Sequence, residues 1–402
     1  MKILVLNCGS SSIKCQVFET SPEQIANTTD RVLAKAVVER IGSQDAIVTV
    51  TVDGRRTRVT RPIGKMDDAL RAVLEAVSAQ GPIDAVGHRV VHGGELFQEP
   101  VEMSDAVVEQ IEDLYDLAPL HNPHNVRGFV AARALLPLAR HVAVFDTAFH
   151  QTLPPRAYLY GIPYSYYAQD RYRRYGFHGV SHRYIAWRYA QLHGVSKHDV
   201  KVISCHLGNG SSMCAIDRGH SVDTSMGFTP LEGLLMGTRC GDIDPSLVLH
   251  MMTQSGETPS EMESMLTRKS GLFGISGLSA DMRKLLDHRA RGDSRAALAI
   301  DVFCYRVRKY IGSYLATLNG ADAVVFTGGI GENATAVREE ICTGLDALGI
   351  RFDAATNAIT TGREGRISLP DSPVAVWVIP TNEELLIARD TLRCLLGLPP
   401  PE

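Results

Sequence analysis

The chain has 402 residues, 45% of them hydrophobic and 21% charged, with a formal charge of −4 at pH 7. That length accommodates two domains with full cores, and the composition is that of an ordinary globular protein. No basic run or aromatic-basic interleaving points to nucleic acid, no apolar run reaches a membrane span, and the apolar start is cut short at Asn7, so neither a membrane nor secretion is expected and the cytoplasm is the expected compartment.

From the N-terminus, residues 3–19 read as an apolar strand, the small polar turn Asn-Cys-Gly-Ser-Ser-Ser, and a second strand carrying Lys14. Residues 46–52 and 56–61 alternate around Asp53-Gly54, a strong hairpin signal. Residues 66–80 have helical spacing, and residues 83–91 form a strand that runs into H-R-V-V-H-G-G-E. Asn122-Pro123 predicts a helix with Asn as N-cap and Pro at the first helical position. His121 then sits just ahead of a helix N-terminus, where an anion is welcome. A buried strand over 141–145 ends at Asp146-Thr147, and a carboxylate at the end of a strand in an α/β domain is where sites tend to form.

Residues 151–177, rich in Pro and Tyr, read as a surface segment between domains, with Arg173, Arg174 and His178 preceding a helix from about Ser181. Residues 202–219 then repeat the opening device: a strand, a Gly-Asn-Gly-Ser-Ser turn and a second strand. The two glycines let the backbone approach a ligand, and the serines add hydroxyl donors. The same device twice in one chain predicts a duplicated α/β domain whose two turns grip one polyphosphate.

The stretch that follows, with Arg239 and two aspartates among glycines and prolines, predicts a long ordered loop. Residues 270–277 read as a glycine-rich turn, Asp281-Met282-Arg283 as a helix start, 294–318 as a long helix and 321–326 as a strand. T-G-G-I-G-E-N-A opens another helix. Gly329-x-Gly331-x-x-Ala334 fits a dinucleotide fingerprint, but too little chain follows for a dinucleotide domain, and a glycine-lined turn against an adenosine fits better. Residues 374–379 form the last strand, and the last helix is capped by Thr381 or Asn382, with Glu383 and Glu384 in its first turn.

The imidazole pairs His88/His92, His121/His124 and His178/His182 lack an H-E-x-x-H spacing and a third ligand, so none is expected to bind metal. The eight cysteines contain no C-x-x-C, which argues against zinc and against a disulfide framework.

Eight blocks, in order, resemble the acetate kinase family: N-C-G-S-S-S-I-K, G-H-R-V-V-H-G-G, F-D-T-A-F-H, Y-G-F-H-G-V-S-H, H-L-G-N-G-S-S, G-T-R-C-G-D-I-D-P, F-T-G-G-I-G-E-N and T-N-E-E-L. They extend over residues 3 to about 390. The resemblance implies two duplicated RNase H-like (actin-like ATPase) domains with an ATP and substrate cleft between them. Domain one would be 1–150, completed by the C-terminal helix 383–402, and domain two 151–382. It implies reversible transfer of phosphoryl from ATP to acetate, giving acetyl phosphate and ADP, with Mg²⁺ as the metal (Mn²⁺ as the alternative ion) in a homodimer.

Carried over by motif, Asn7 and Glu383 would lie near the metal and Lys14 near the nucleotide phosphates. Arg89 and Arg239 would hold the acetate carboxylate and the moving phosphoryl, with His178 stabilising the transition state, Asp146 catalytic, and His121 beside the transferring group. His206, Leu207, Gly208, Asn209, Gly210, Asp281, Met282, Arg283, Gly329, Ile330, Gly331, Glu332 and Asn333 would bind ATP. Val91, Leu120, Phe177 and Pro230 would form the methyl pocket. Cys8 and Cys15 depart from the family pattern beside the first turn. The competing expectations are a propionate or butyrate kinase, distinguished by pocket volume, and an actin-like ATP switch, which would not need Arg89, His178 and Arg239.

Overall fold

The computed structural model describes residues 1–9, 11–77, 80–119 and 121–399. Its first sheet is built from β1 (Lys2–Cys8), β2 (Ser12–Glu19), β3 (Arg31–Glu39), β4 (Ser43–Val52), β5 (Arg55–Ile63), β6 (Ala85–Val90), β7 (Val101–Glu102) and β8 (Arg140–Phe145). The second is built from β9 (Lys201–Leu207), β10 (Ser211–Asp217), β11 (His220–Thr224), β12 (Ala323–Thr327), β13 (Gly365–Arg366) and β14 (Ala375–Val378).

The duplication expected from two turns extends through both sheets. The first has the order β5-β4-β3-β2-β1-β6-β8-β7 and the second β11-β10-β9-β12-β14-β13. From β3 to β7 and from β11 to β13, the succession is the same. Two antiparallel pairings are followed by two parallel ones and a final antiparallel edge. The chain also visits the strands in the same order in each. The first copy differs by the added hairpin β4–β5, whose turn is Asp53-Gly54.

By its contacts the chain divides into one unit of Met1–Ala148 with Asn382–Glu402 and another of Phe149–Thr381. In the first, helices Met66–Val77 and Asn122–Leu135 cover one face of the sheet, and helix Glu383–Leu396 packs on β1, β6 and β8. In the second, helix Ser294–Leu318 buries Ala296, Ile300, Phe303, Val307 and Ile311 against Ile203, Leu207, Met213 and Ala215. That apolar spacing of three and four along the helix is the stripe of a core-facing helix.

Four local expectations differ from what is observed. The second hairpin turn is three residues long, because Ser211 and Ser212 belong to β10 and pair with Leu207 and His206. Residues 270–277 contain a helical turn, Gly271–Ser276, rather than an irregular one. The Pro- and Tyr-rich segment belongs to the second unit and contains helices Pro155–Tyr158 and Ser165–Asp170. Arg174 is committed there to the carbonyls of Thr224, Ser225 and Met226 and to Glu232. Finally, Asn122 is the first residue of its helix and does not cap it; His121 holds the cap position. The Asn122 side chain instead accepts from the His92 N–H at 3.1 Å and donates to the His92 carbonyl at 2.9 Å. A buried amide so placed satisfies a strand-end backbone that has no ladder partner, which outweighs one helix cap.

Candidate active site

In the first unit, Asn7, Arg89 and Asp146 stand at the C-terminal ends of β1, β6 and β8, three neighbouring parallel strands. Asp146 is buried, and Arg89 grips it as a fork, Nε to Oδ1 at 2.9 Å and Nη2 to Oδ2 at 2.5 Å. Glu383, in the first turn of its helix, has Oε2 4.0 Å from Arg89 Nε. Burial by itself pulls the Arg89 guanidinium down, but Asp146 and Glu383 more than offset it, so its pKa lies above the ordinary value. Glu383 is raised as well, which for an acid disfavours the charged form. Burial raises its carboxyl to about 7, Arg89 opposes the rise, and Asp146 and Glu384 add to it.

Three carboxylates therefore share the neighbourhood of one arginine, with Lys14 exposed on β2 directly opposite Asn7. Among the described residues no group of three His, Cys, Asp or Glu side chains could hold a metal alone. One under-compensated carboxylate with an amide oxygen on the adjoining strand instead fits Mg²⁺, which takes few protein ligands and completes its shell with water and phosphates. His121 is half-buried at the N-terminus of helix Asn122–Leu135, and Val91 is buried just beyond β6. Leu120 lies outside the described residues.

In the second unit, the turn Gly208-Asn209-Gly210 between β9 and β10 meets the irregular loop that carries Arg239. Gly237 donates its N–H to the Asn209 carbonyl at 3.0 Å, and a Cβ at position 237 would come within 1.9 Å of Asn209 Oδ1, so any larger residue there would have to displace the Asn209 side chain. A methyl group on Gly210 would lie 3.5 Å from both Arg239 Nη1 and His178 Cε1, and 3.7 Å from His178 Nε2. Arg239 and His178 thus converge on this turn. Arg239 is half-buried and donates to the Pro230 carbonyl at 3.0 Å. No carboxylate pairs with it among the described residues, and burial pulls its pKa below the ordinary value. His178 has φ 56°, a left-handed backbone that costs on the order of 1 kcal/mol in a non-glycine residue. Its ring stacks on His206 with centroids 4.3 Å apart.

The remaining expected nucleotide elements divide into open and structural residues. Gly329 and Asn333 are exposed on the short helix Gly328–Asn333, and Ile330 is partly so. That helix starts at Gly328, whose φ of +75° and approach to the Leu207 backbone require glycine. Glu332 is turned inward, accepting from the Gly328 N–H at 2.9 Å and the Thr381 N–H at 3.2 Å, so it braces the turn. Gly331 is buried, and its carbonyl accepts from Arg338 at 2.8 Å. Asp281 caps helix Met282–Ala290 and pairs with the exposed Arg283 at 2.7 Å. The side chains of Leu207 and Met282 are in the core, which leaves their backbones for any ligand.

Phe177 is buried next to His178, and its carbonyl accepts from His150 Nε2 at 3.1 Å, while His150 Nδ1 accepts from the Ser221 hydroxyl at 2.8 Å. Burial lowers the pKa of His150 to about 4, below the value of about 6.5 that an unfolded chain would have. The folded state therefore binds fewer protons than the unfolded state between those values. The stabilising share of the neutral ring is complete above about pH 6.5 and is lost as the pH falls toward about 4. His150→Gln is expected to lessen the steepness of the fall in thermal midpoint over that window. An unchanged slope would show that His150 titrates alike in the folded and unfolded states.

Sequence reading missed Asn125 and Arg338. Asn125 accepts from the Val91 N–H at 3.1 Å and donates to the Cys8 carbonyl at 2.9 Å, linking the end of β1 to the end of β6. Arg338, fully buried, donates to Asn357 Oδ1 at 2.9 Å and to the carbonyls of Gly331 and Thr360. An arginine in a helical pattern gives no local sign that it will be buried, and its partners lie up to 22 residues away.

A family model described as the acetokinase family matches residues 2–389. The chain is 51% identical to the acetate kinase of Solibacter usitatus, over 100% of both chains. It is 48% identical to the acetate kinase of Chloroherpeton thalassium, over 98% of this chain and 99% of the relative. Among solved structures, the acetate kinase of Porphyromonas gingivalis superposes with a TM-score of 0.90 at 41% identity, over 98% of this chain and 99% of that one. A propionate kinase from Francisella tularensis superposes with a TM-score of 0.90 at 40% identity, over 99% of each chain.

Proposed function

The chain belongs to the acetokinase family, and from that premise we propose that it catalyses reversible, Mg²⁺-dependent transfer of the γ-phosphoryl group of ATP to acetate, giving acetyl phosphate and ADP. The observation that carries this reading is Arg239: a half-buried guanidinium without a carboxylate, converging with His178 on a glycine turn. Charge held in that way suits the oxygens of a transferring phosphoryl group.

Arg239 and His178 neutralise the equatorial oxygens, and the His121 motif assigns that residue to the same group. Arg89 aims the acetate carboxylate. Both Asp146 oxygens are taken by Arg89, so Asp146 orients that arginine, and acetate, already ionised near neutral pH, needs no base. Glu383 and Asn7 would hold Mg²⁺, which when bound would supply charge neutralisation to the phosphates. Lys14 and the turn His206 to Gly210 serve the phosphates, and Asp281 to Arg283 with Gly329 to Asn333 serve the nucleoside. By their motifs, Val91, Phe177 and Pro230 are the described residues assigned to the methyl group of acetate. The same premise supports a cytoplasmic homodimer; no helix among the described residues is long and apolar enough to cross a membrane.

Trapping acyl phosphate as hydroxamate, with acetate, propionate and butyrate in parallel and with metal withheld in a control, tests the assignment. Metal-dependent product, highest in kcat/KM for acetate, is expected. A preference for propionate would favour the second reading, which the likeness to the propionate kinase supports. One methylene is worth only about 1–3 kcal/mol of discrimination, so some propionate turnover is expected. Val91→Ala, which removes two methyl groups from a buried position, is expected to narrow the acetate-to-propionate ratio of kcat/KM. An unchanged ratio in a folded variant would remove Val91 from the pocket.

Transfer is direct. An ionised acceptor aimed in line does not need a phosphoenzyme. ATP chiral at its γ-phosphorus is expected to give acetyl phosphate of inverted configuration, and net retention would require a covalent intermediate.

A further inference from the structure

The two faces of the β9–β10 hairpin differ in chemistry. One face carries Ile203, Cys205, Leu207, Met213 and Ala215 into the apolar core. The other carries Ser204 and His206 from β9 and Ser212 and Cys214 from β10, and on it packs helix Gly179–His193 with His182. Ser204, Ser212 and His182 are each fully buried. Leaving a buried polar group unsatisfied costs about 1–3 kcal/mol, and here the groups satisfy one another in a row. His182 Nδ1 is 2.9 Å from Ser204 Oγ, and His182 Nε2 is 2.8 Å from Ser212 Oγ. Ser212 Oγ is in turn 2.9 Å from His178 Nδ1. The row ends at His178, whose Nε2 edge is the one beside Gly210 and Arg239.

We infer that Ser212 and His182 are positioning residues that hold His178 in its Nε2–H tautomer, the form in which that N–H can donate to the transferring phosphoryl group. The inference rests on the proposed role of His178 as a donor to that group.

The argument is one of proton counting. A hydroxyl between two ring nitrogens donates its one proton to one of them and accepts from the other, and a neutral imidazole donates from one nitrogen only. Burial, with His150 and His206 nearby, keeps His182 well below its ordinary pKa and therefore neutral. With that ring neutral, the row has two self-consistent settings. In one, Ser204 donates to His182 Nδ1, His182 Nε2–H donates to Ser212, and Ser212 donates to His178 Nδ1, which puts the His178 proton on Nε2. In the other, every bond is reversed, and neutral His178 presents a lone pair toward the phosphoryl oxygens. Lone pair against anionic oxygen is repulsive, so only the first setting stabilises the transition state as a neutral ring. The tautomer of an imidazole is set by what its other nitrogen bonds, and Ser212 is that partner.

Long-range proton–nitrogen spectra of the full-length protein, labelled in histidine, test this, with His178→Gln used to assign the His178 ring. Wild type at neutral pH is expected to show His178 with its proton on Nε2; a proton on Nδ1 would overturn the inference without any further variant. Ser212→Ala is expected to mix the two tautomers and to lower kcat by about tenfold or more, less than the roughly 10²–10³-fold that losing a donor outright costs. The KM for ATP should stay within about twofold, and Ser212→Thr, which restores the hydroxyl, should recover most of the rate. Wild-type turnover and an unmixed tautomer in Ser212→Ala would overturn the relay. Wild-type turnover in His178→Gln would instead remove the donor role on which the inference depends.

Discussion

Arg239→Ala is expected to lower kcat by about 10²–10³-fold, the loss typical of one preorganised donor to a developing charge, while the KM for ATP changes little. An interaction made chiefly in the transition state lowers kcat and kcat/KM together, whereas lost ground-state binding raises KM. Arg239 has the features of the first kind: it donates to the Pro230 carbonyl and the Met236 thioether, not to a carboxylate. Because burial disfavours its charge and no acid among the described residues offsets that, replacing it relieves a strain on the ligand-free fold. Arg239→Met should therefore keep or raise the thermal midpoint while activity falls, the usual conflict between stability and a prepared site. A large fall in both activity and stability would show that Arg239 is held by contacts of a structural kind. Arg239→Lys should recover only part of the rate, since a point charge does not reproduce the planar fork.

Arg89→Ala should have the opposite signature, losing stability and acetate affinity together. Its side chain is 17% exposed and Asp146 is 2% exposed, so truncation leaves a buried carboxylate without its counter-charge. Breaking a pair of that kind costs about 3–5 kcal/mol, and the partial exposure of Arg89 places the expected loss near 3. Asp146→Asn added to Arg89→Ala should recover stability at neutral pH without recovering activity, because the amide leaves no unpaired charge in the buried position. Chemical denaturation of wild type, both single variants and the double variant reads these outcomes. A double variant no more stable than Arg89→Ala would show that the pair is not the source.

Local chemistry in the sequence determined those elements whose stabilising contacts are close in the chain. Asp53-Gly54 specifies a turn by its backbone preference, helix Ser294–Leu318 is announced by one apolar stripe, and Asp281, Asp293 and Asn382 cap the helices they precede. The two small polar turns predicted a duplication because each requires the same strand–turn–strand arrangement, and the matching sheet orders extend it. Wherever a side chain could choose between a near and a distant partner, only the tertiary structure decided. Asn122 had a helix to cap and instead holds His92, 30 residues away, since a buried strand-end backbone has no water to turn to. Ser211 and Ser212 look like turn residues, yet they are strand residues because their partners in β9 extend the ladder. The row from Ser204 to His178 could not be read from spacing, as it joins two strands to a helix across 22, 30 and 34 residues. Burial itself, which lowers His182 and raises Glu383, is a property of the packed fold. The sequence supplies the titrating groups, and the water excluded around them sets which carry charge.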